Sequence, residues 1–133
     1  MKNGVEYSGL LDSVKISKKS IKGVDDEKVY KQVGVVKFTL LYAMGSLSSL
    51  TDPIVTEDTS YDKVVFGPRV GSYKITINSV EANVKINQII KTNKDEESKV
   101  SFILETEELD FISAIGIYVK DKDTMSVFKL DYL

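Results

Sequence analysis

The 133-residue chain contains no cysteine, no histidine and no tryptophan, and only two prolines. Without cysteine there are no disulfides, thiolate zinc sites, iron–sulfur clusters or cysteine nucleophiles. Without histidine the commonest metal ligand and the commonest general base are missing. Arginine is nearly absent too: Arg69 is the only guanidinium among 18 basic residues, a poor toolkit for bidentate reading of phosphates or bases. No apolar run approaches the ~20 residues of a membrane-spanning helix, and Lys2-Asn3-Gly4 leads into no signal-peptide core. The expectation is a protein of the cytoplasm, or of a particle assembled there, with no membrane contact.

What is present fits one globular domain over residues 1–133. Apolar residues at 42% exceed what wholesale disorder allows, and a chain of 133 residues can bury a core without covalent staples. Net charge is −2, so no global field draws in nucleic acid or an acidic membrane. The charge is unevenly placed, however, with a basic excess near the N-terminus that comes largely from Lys15, Lys18, Lys19 and Lys22.

The dominant hydrophobic period is two, the signature of strands. Val36, Phe38, Leu40 and Tyr42 share one face of the segment Tyr30 to Tyr42; Val33, Val35 and Leu41 lie on the other, which predicts a central strand covered on both sides. Val14 and Ile16 alternate with polar neighbours in an earlier, half-exposed, lysine-rich strand, and Gly23 to Glu27 has the composition of the turn between the two. Tyr73, Ile75 and Ile77 form a further set. The even positions Val80, Ala82, Val84, Ile86 and Ile90 then take over, so Asn78-Ser79 marks a bulge or a tight break between strands. After a charged turn, Val100, Phe102 and Leu104 alternate. Ala114 to Lys120, the turn Asp121 to Thr124, and Met125 to Tyr132 read as a closing hairpin. The Ser/Thr/Asp-rich stretch 45–62, broken at Asp52-Pro53, reads as one long loop with a short turn around Leu47 and Leu50; a loop of this length is usually functional or ordered by a partner. The expected fold is all-β: a single antiparallel sandwich or barrel with little helix, N-terminal strands over 1–44 and C-terminal strands over 63–133.

Candidate chemistry is thin. Asp95-Glu96-Glu97 and Glu105-Glu107-Glu108-Asp110 could supply paired carboxylates or bind hard cations, but adjacent charges in turns are more often solvated surface. Asp121-Lys122-Asp123 lacks the glycine and the distal glutamate of a calcium loop. Gly67-Pro68-Arg69-Val70-Gly71 lacks the lysine and helix of a phosphate loop. Serine and lysine are plentiful, yet nothing marks a catalytic pair. The lysines at 15, 18, 19 and 22 suit a phosphate backbone, but residues 8–29 offer no interleaved aromatic for bases to stack on. Gly116 interrupts an apolar strand, which implies either a bulge or bend, or close approach of another backbone. The expectation is a non-enzyme with no cofactor and no metal.

Phe111-Ile112-Ser113-Ala114-Ile115-Gly116-Ile117-Tyr118-Val119-Lys120-Asp121-Lys122-Asp123-Thr124 resembles a segment of phage tail-fibre and baseplate proteins, in which a strand of the form Ile-x-Glu-Ile-Gly-Leu-Phe/Tyr leads into an Asp-rich turn and a return strand. Tyr73 to Glu81 resembles the strand upstream of it, so the likeness covers about residues 70–133. Ala114 replaces that family's acidic residue, and Met125 a glycine often found after the turn. The resemblance implies an attachment or adaptor domain in a phage tail or related contractile particle, in contact with other tail or baseplate proteins and present in several copies. Gly116, Tyr118, Leu130, Tyr132, Leu47 and Leu50 are then the candidate assembly contacts, with Leu130 to Leu133 as an exposed strand edge. The competing reading is a small intracellular binding module, a mobile-element accessory protein that uses the four lysines on nucleic acid or blocks a host factor. Nucleic acid is the less expected partner.

Overall fold

The computed structural model describes residues 6–22, 28–43, 63–68, 71–94, 97–120 and 125–132. The loop 45–62 with Leu47 and Leu50, the turns 23–27 and 121–124, Arg69-Val70 and Asp95-Glu96 lie outside these residues. The elements are β1 (Tyr7–Lys22), β2 (Lys28–Ala43), β3 (Lys63–Phe66), β4 (Tyr73–Ile77), β5 (Val80–Lys94), β6 (Glu97–Thr106), α1 (Leu109–Lys120) and β7 (Ser126–Tyr132).

Six strands close an antiparallel barrel in the order β5-β4-β7-β1-β2-β6, with β6 pairing back onto β5. β3 continues the line of β4 and pairs with Ile89 to Thr92, beyond the part of β5 that β4 occupies. The all-β reading therefore holds in its barrel form, with one helix among the described residues. Closure follows from alternation, because each strand turns every second apolar side chain to a common interior. Val36, Phe38 and Leu40, then Tyr73, Ile75 and Ile77, then Val100, Phe102 and Leu104 are all buried there. At the centre Phe38 lies between Phe102 and Phe128, stacked on them with ring centroids 5.0 and 4.4 Å away. The interior is thus packed with side chains.

Two bulges reset the alternation. One falls between Leu11 and Ser13 of β1, the other between Ile86 and Gln88 of β5. The second corrects the expected even set: beyond Asn87 the buried residues are Ile89 and Lys91, and Ile90 is only half-buried. Asn78 and Ser79 form the tight break, a two-residue turn with both residues at positive φ (48° and 72°). That backbone matches the twist of a hairpin. β2 is central, flanked by β1 and β6.

The largest correction concerns residues 109–120, which form α1 and not the first strand of a terminal hairpin. Phe111, Ile112 and Ile115 join the barrel core, and Tyr118 and Val119 pack against it. This spacing of one, four, seven and eight residues is the 3.6-residue period of a helix face. Ile115, Ile117 and Val119 also alternate, so period two and period 3.6 compete in a short window. The helix wins because the barrel mouth needs a plug. The chain leaves β6 at Thr106, and a helix is what carries apolar groups back over the opening. Asp110 in its first turn suits the positive end of the helix dipole.

β1 and β2 each run for 16 residues, longer than the barrel needs. β6 leaves β2 at Gly34, yet β1 and β2 remain paired out to Lys22 and Lys28. Residues 17–22 and 28–33 therefore form a two-stranded arm that extends roughly 20 Å past the barrel wall, with Lys15 and Ile16 at its base.

Candidate functional site

The register of the arm sorts its residues onto two faces. Lys15, Ser17, Lys19 and Ile21 of β1 stand opposite Val35, Val33, Lys31 and Val29 of β2, on the face continuous with the outside of the barrel. Ile16, Lys18, Ser20 and Lys22 stand opposite Gly34, Gln32, Tyr30 and Lys28, on the face continuous with the interior. The four N-terminal lysines thus share one strand but not one patch: positions 15 and 19 fall on one face, 18 and 22 on the other.

On the outer face the arm meets the barrel seam, where a cleft of about 530 Å³ opens between β2, β5 and β6. Lys19, Lys31 and Lys85 line it together with Glu105, Glu107 and Glu108. Lys19 donates to Glu105 at 3.1 Å, and Lys31 donates to Glu107. Asn87, the extra residue of the β5 bulge, donates to the other oxygen of Glu105 at 3.0 Å. Burial raises the Glu105 pKa, but the hydrogen bonds from Asn87 and Lys19 and the charges of Lys19 and Lys85 outweigh it, holding the carboxyl below its ordinary range. The hydrogen bond and charge of Lys31 likewise lower Glu107.

The seam is finished by side chains. β6 last pairs with β5 at Glu105, opposite Lys85, which leaves the backbone of Asn83 facing the cleft. Thr106 donates its hydroxyl to the Asn83 carbonyl at 2.8 Å, and Asn83 N–H donates to the Glu108 carboxylate. The acidic run expected to be plain solvated surface is therefore a fastening. It ties the arm to the wall and completes the hydrogen bonds of the β5 edge. The signal for this was available: residues 13–22 and 28–42 contain no acid, so lysines paired across them had to find carboxylates on another element.

The other candidate contacts are dispersed. Gly116 lies in α1, and the nearest atom to a Cβ built there is Val14 Cγ2 at 4.0 Å. It marks neither a strand bulge nor a close backbone approach within the chain. Tyr118 is half-buried against the core. Leu130 is 1% exposed inside the barrel, and β7 is an inner strand between β4 and β1, so the proposed edge contact at Leu130 is corrected. Tyr132 is exposed, with its ring edge-on to Tyr73 at 5.2 Å. The residues the sequence reading passed over are Ile16, Val29 and Tyr30, large apolar groups 51%, 49% and 62% exposed on the arm. No helix among the described residues is long and apolar enough to cross a membrane.

These features define a side-chain-filled six-stranded barrel, plugged by a helix and carrying a projecting arm. Comparison with known proteins finds no matching family model, no similar curated protein and no similar solved structure.

Proposed function

We propose that this protein is a structural component of a phage tail or related contractile particle, a baseplate or fibre-attachment protein that works through protein–protein contacts and performs no catalysis. The observation that carries the reading is the pairing of β4 with β7. β4 opens one of the two segments that carry the resemblance, Tyr73 to Glu81, and β7 is the return strand that follows the other, Phe111 to Thr124; the two strands lie side by side from Tyr73–Tyr132 to Ile77–Phe128. Of the second segment, Phe111 to Lys120 is helical in this chain, where the tail-fibre and baseplate segment is a strand. Of the eight large hydrophobic residues exposed among the described residues, four lie between Ile117 and Tyr132: Ile117, Met125, Val127 and Tyr132. Exposed apolar side chains of this kind are available for contacts between proteins. Copies arranged around a particle axis would each present them in the same way.

The test is gradient sedimentation of lysate from the native source, with the protein detected in each fraction. Co-migration with a large particle is expected, and Met125→Glu combined with Val127→Glu should return the protein to the top of the gradient. Both positions are exposed, so the barrel should survive the change. Recovery of the unaltered protein only near the mass of a free small protein would overturn the assignment.

A further inference from the structure

The interior-continuous face of the arm differs from its partner in one respect that bears on ligands. On the outer face, Lys19 and Lys31 are matched by Glu105 and Glu107. On the other face, Lys18 is exposed and makes no ion pair with a described residue, and register positions 22 and 28 beyond it are both lysine. Tyr30 sits opposite Ser20, between Lys18 and Lys22 on the neighbouring strand. Its ring is 62% exposed and has no aromatic partner among the described residues. Read along the sequence, residues 8–29 hold no aromatic. The pairing of β1 with β2 supplies one from the other strand.

We propose that this face of the arm binds single-stranded nucleic acid, with Tyr30 as the stacking platform for a base and Lys18 on the phosphates, the lysines at register positions 22 and 28 adding positive charge at the same end of the arm. Positions two apart on a strand are separated by about 7 Å, so a base resting on Tyr30 lies within reach of the Lys18 stem on one side and one register step from positions 22 and 28 on the other. Lysine suits this task, since tracking a backbone needs point charges and not the bidentate fork that reads bases. Gln32 and Ser20, both exposed on the same face, add hydrogen-bonding groups. A duplex is the poorer match, because its bases are already stacked on one another and leave no free face for Tyr30. The proposal stands apart from the particle assignment and does not need it.

The experiment is a fluorescence-anisotropy titration of the full chain with a labelled mixed-sequence single-stranded DNA at low salt, repeated with the matching duplex and with polyglutamate. The expected result is binding to the single strand in preference to the duplex. Affinity should fall with salt at a log–log slope of about −0.7 for each lysine engaged. Tyr30→Ala should weaken binding about tenfold, Lys18→Gln should weaken it and flatten the slope, and Lys15→Gln on the opposite face should do neither. Circular dichroism melts of these surface variants check that each remains folded. Absence of binding at low salt overturns the proposal. So does binding that ignores Tyr30, that Lys15→Gln reduces as much as Lys18→Gln, or that polyglutamate matches.

Discussion

Gly34 of β2 lies directly beneath Ile112 of α1, so close that a Cβ at position 34 would collide with the isoleucine side chain. The helix plug and the barrel mouth thus meet at a residue that has no side chain of its own. Gly34→Ala should destabilise the protein by about 1–3 kcal/mol through overpacking. Ile112→Val in the same chain should recover part of the loss. Urea unfolding midpoints of the two single variants and the double variant check this, and simple additivity would show that the two positions do not share a space.

The Asn78-Ser79 turn combines a strained backbone with a long-range anchor. Asn78 N–H donates to the Val127 carbonyl at 2.9 Å, Val127 N–H donates to the Asn78 side-chain oxygen at 2.8 Å, and the Asn78 amide reaches Ser126 at 3.1 Å. Ser79, beside it, holds φ at 72°. Ser79→Gly should therefore stabilise, by about 0.5–1 kcal/mol, because glycine adopts this conformation without steric cost. Asn78→Ala should destabilise by about 1–3 kcal/mol by leaving partners on β7 unmet. Thermal melts of both variants read out the opposite signs.

The ion pairs that fasten the arm predict an acid-labile attachment. Glu105 and Glu107 both have folded-state pKa values below their ordinary value of 4.5. A lowered folded pKa contributes stability that is fully present above the unfolded value and is lost as the pH falls through the folded one. The arm should therefore stay docked at neutral pH and loosen below about pH 4. Hydrogen exchange of arm amides, compared at neutral and acidic pH, measures the release. In Glu105→Gln the acid-dependent part should shrink, because only the Glu107 pair still titrates.

The aromatic stack through Phe38 should hold the largest single share of core packing. Phe38, Phe102 and Phe128 are all fully buried, and Phe38 touches both of the others. Phe38→Ala should cost about 3–5 kcal/mol, more than the same change at exposed Tyr30. Chemical denaturation of the two variants ranks them. Removing Met125 to Leu133 should be more damaging still, because it takes out β7 with Phe128 and Leu130. Its effect on particle incorporation would then report unfolding and not a lost contact.

The strands were readable from the chain because alternation is a local property: each of Val36, Phe38 and Leu40, or Tyr73, Ile75 and Ile77, declares its face within a few residues. The tight break at Asn78-Ser79 was readable for the same reason, since a change of parity needs only neighbours to be seen. α1 was not, because Ile115 to Val119 satisfies both periods and only the open barrel mouth chooses between them. A clue did lie upstream: the acids Glu107, Glu108 and Asp110 just ahead of an apolar run are what a helix start favours.

Composition and periodicity by themselves thus determined that this is a cysteine-free, histidine-free β protein with a filled core and a lysine-rich N-terminal strand pair. Tertiary structure alone decided which lysines share a face, which of them Glu105 and Glu107 neutralise, and that Tyr30 stands between Lys18 and Lys22. The reason is physical. Side-chain direction along a strand is set by the strand itself, but a strand's partner, its register and the length over which it remains paired depend on contacts between residues far apart in the chain.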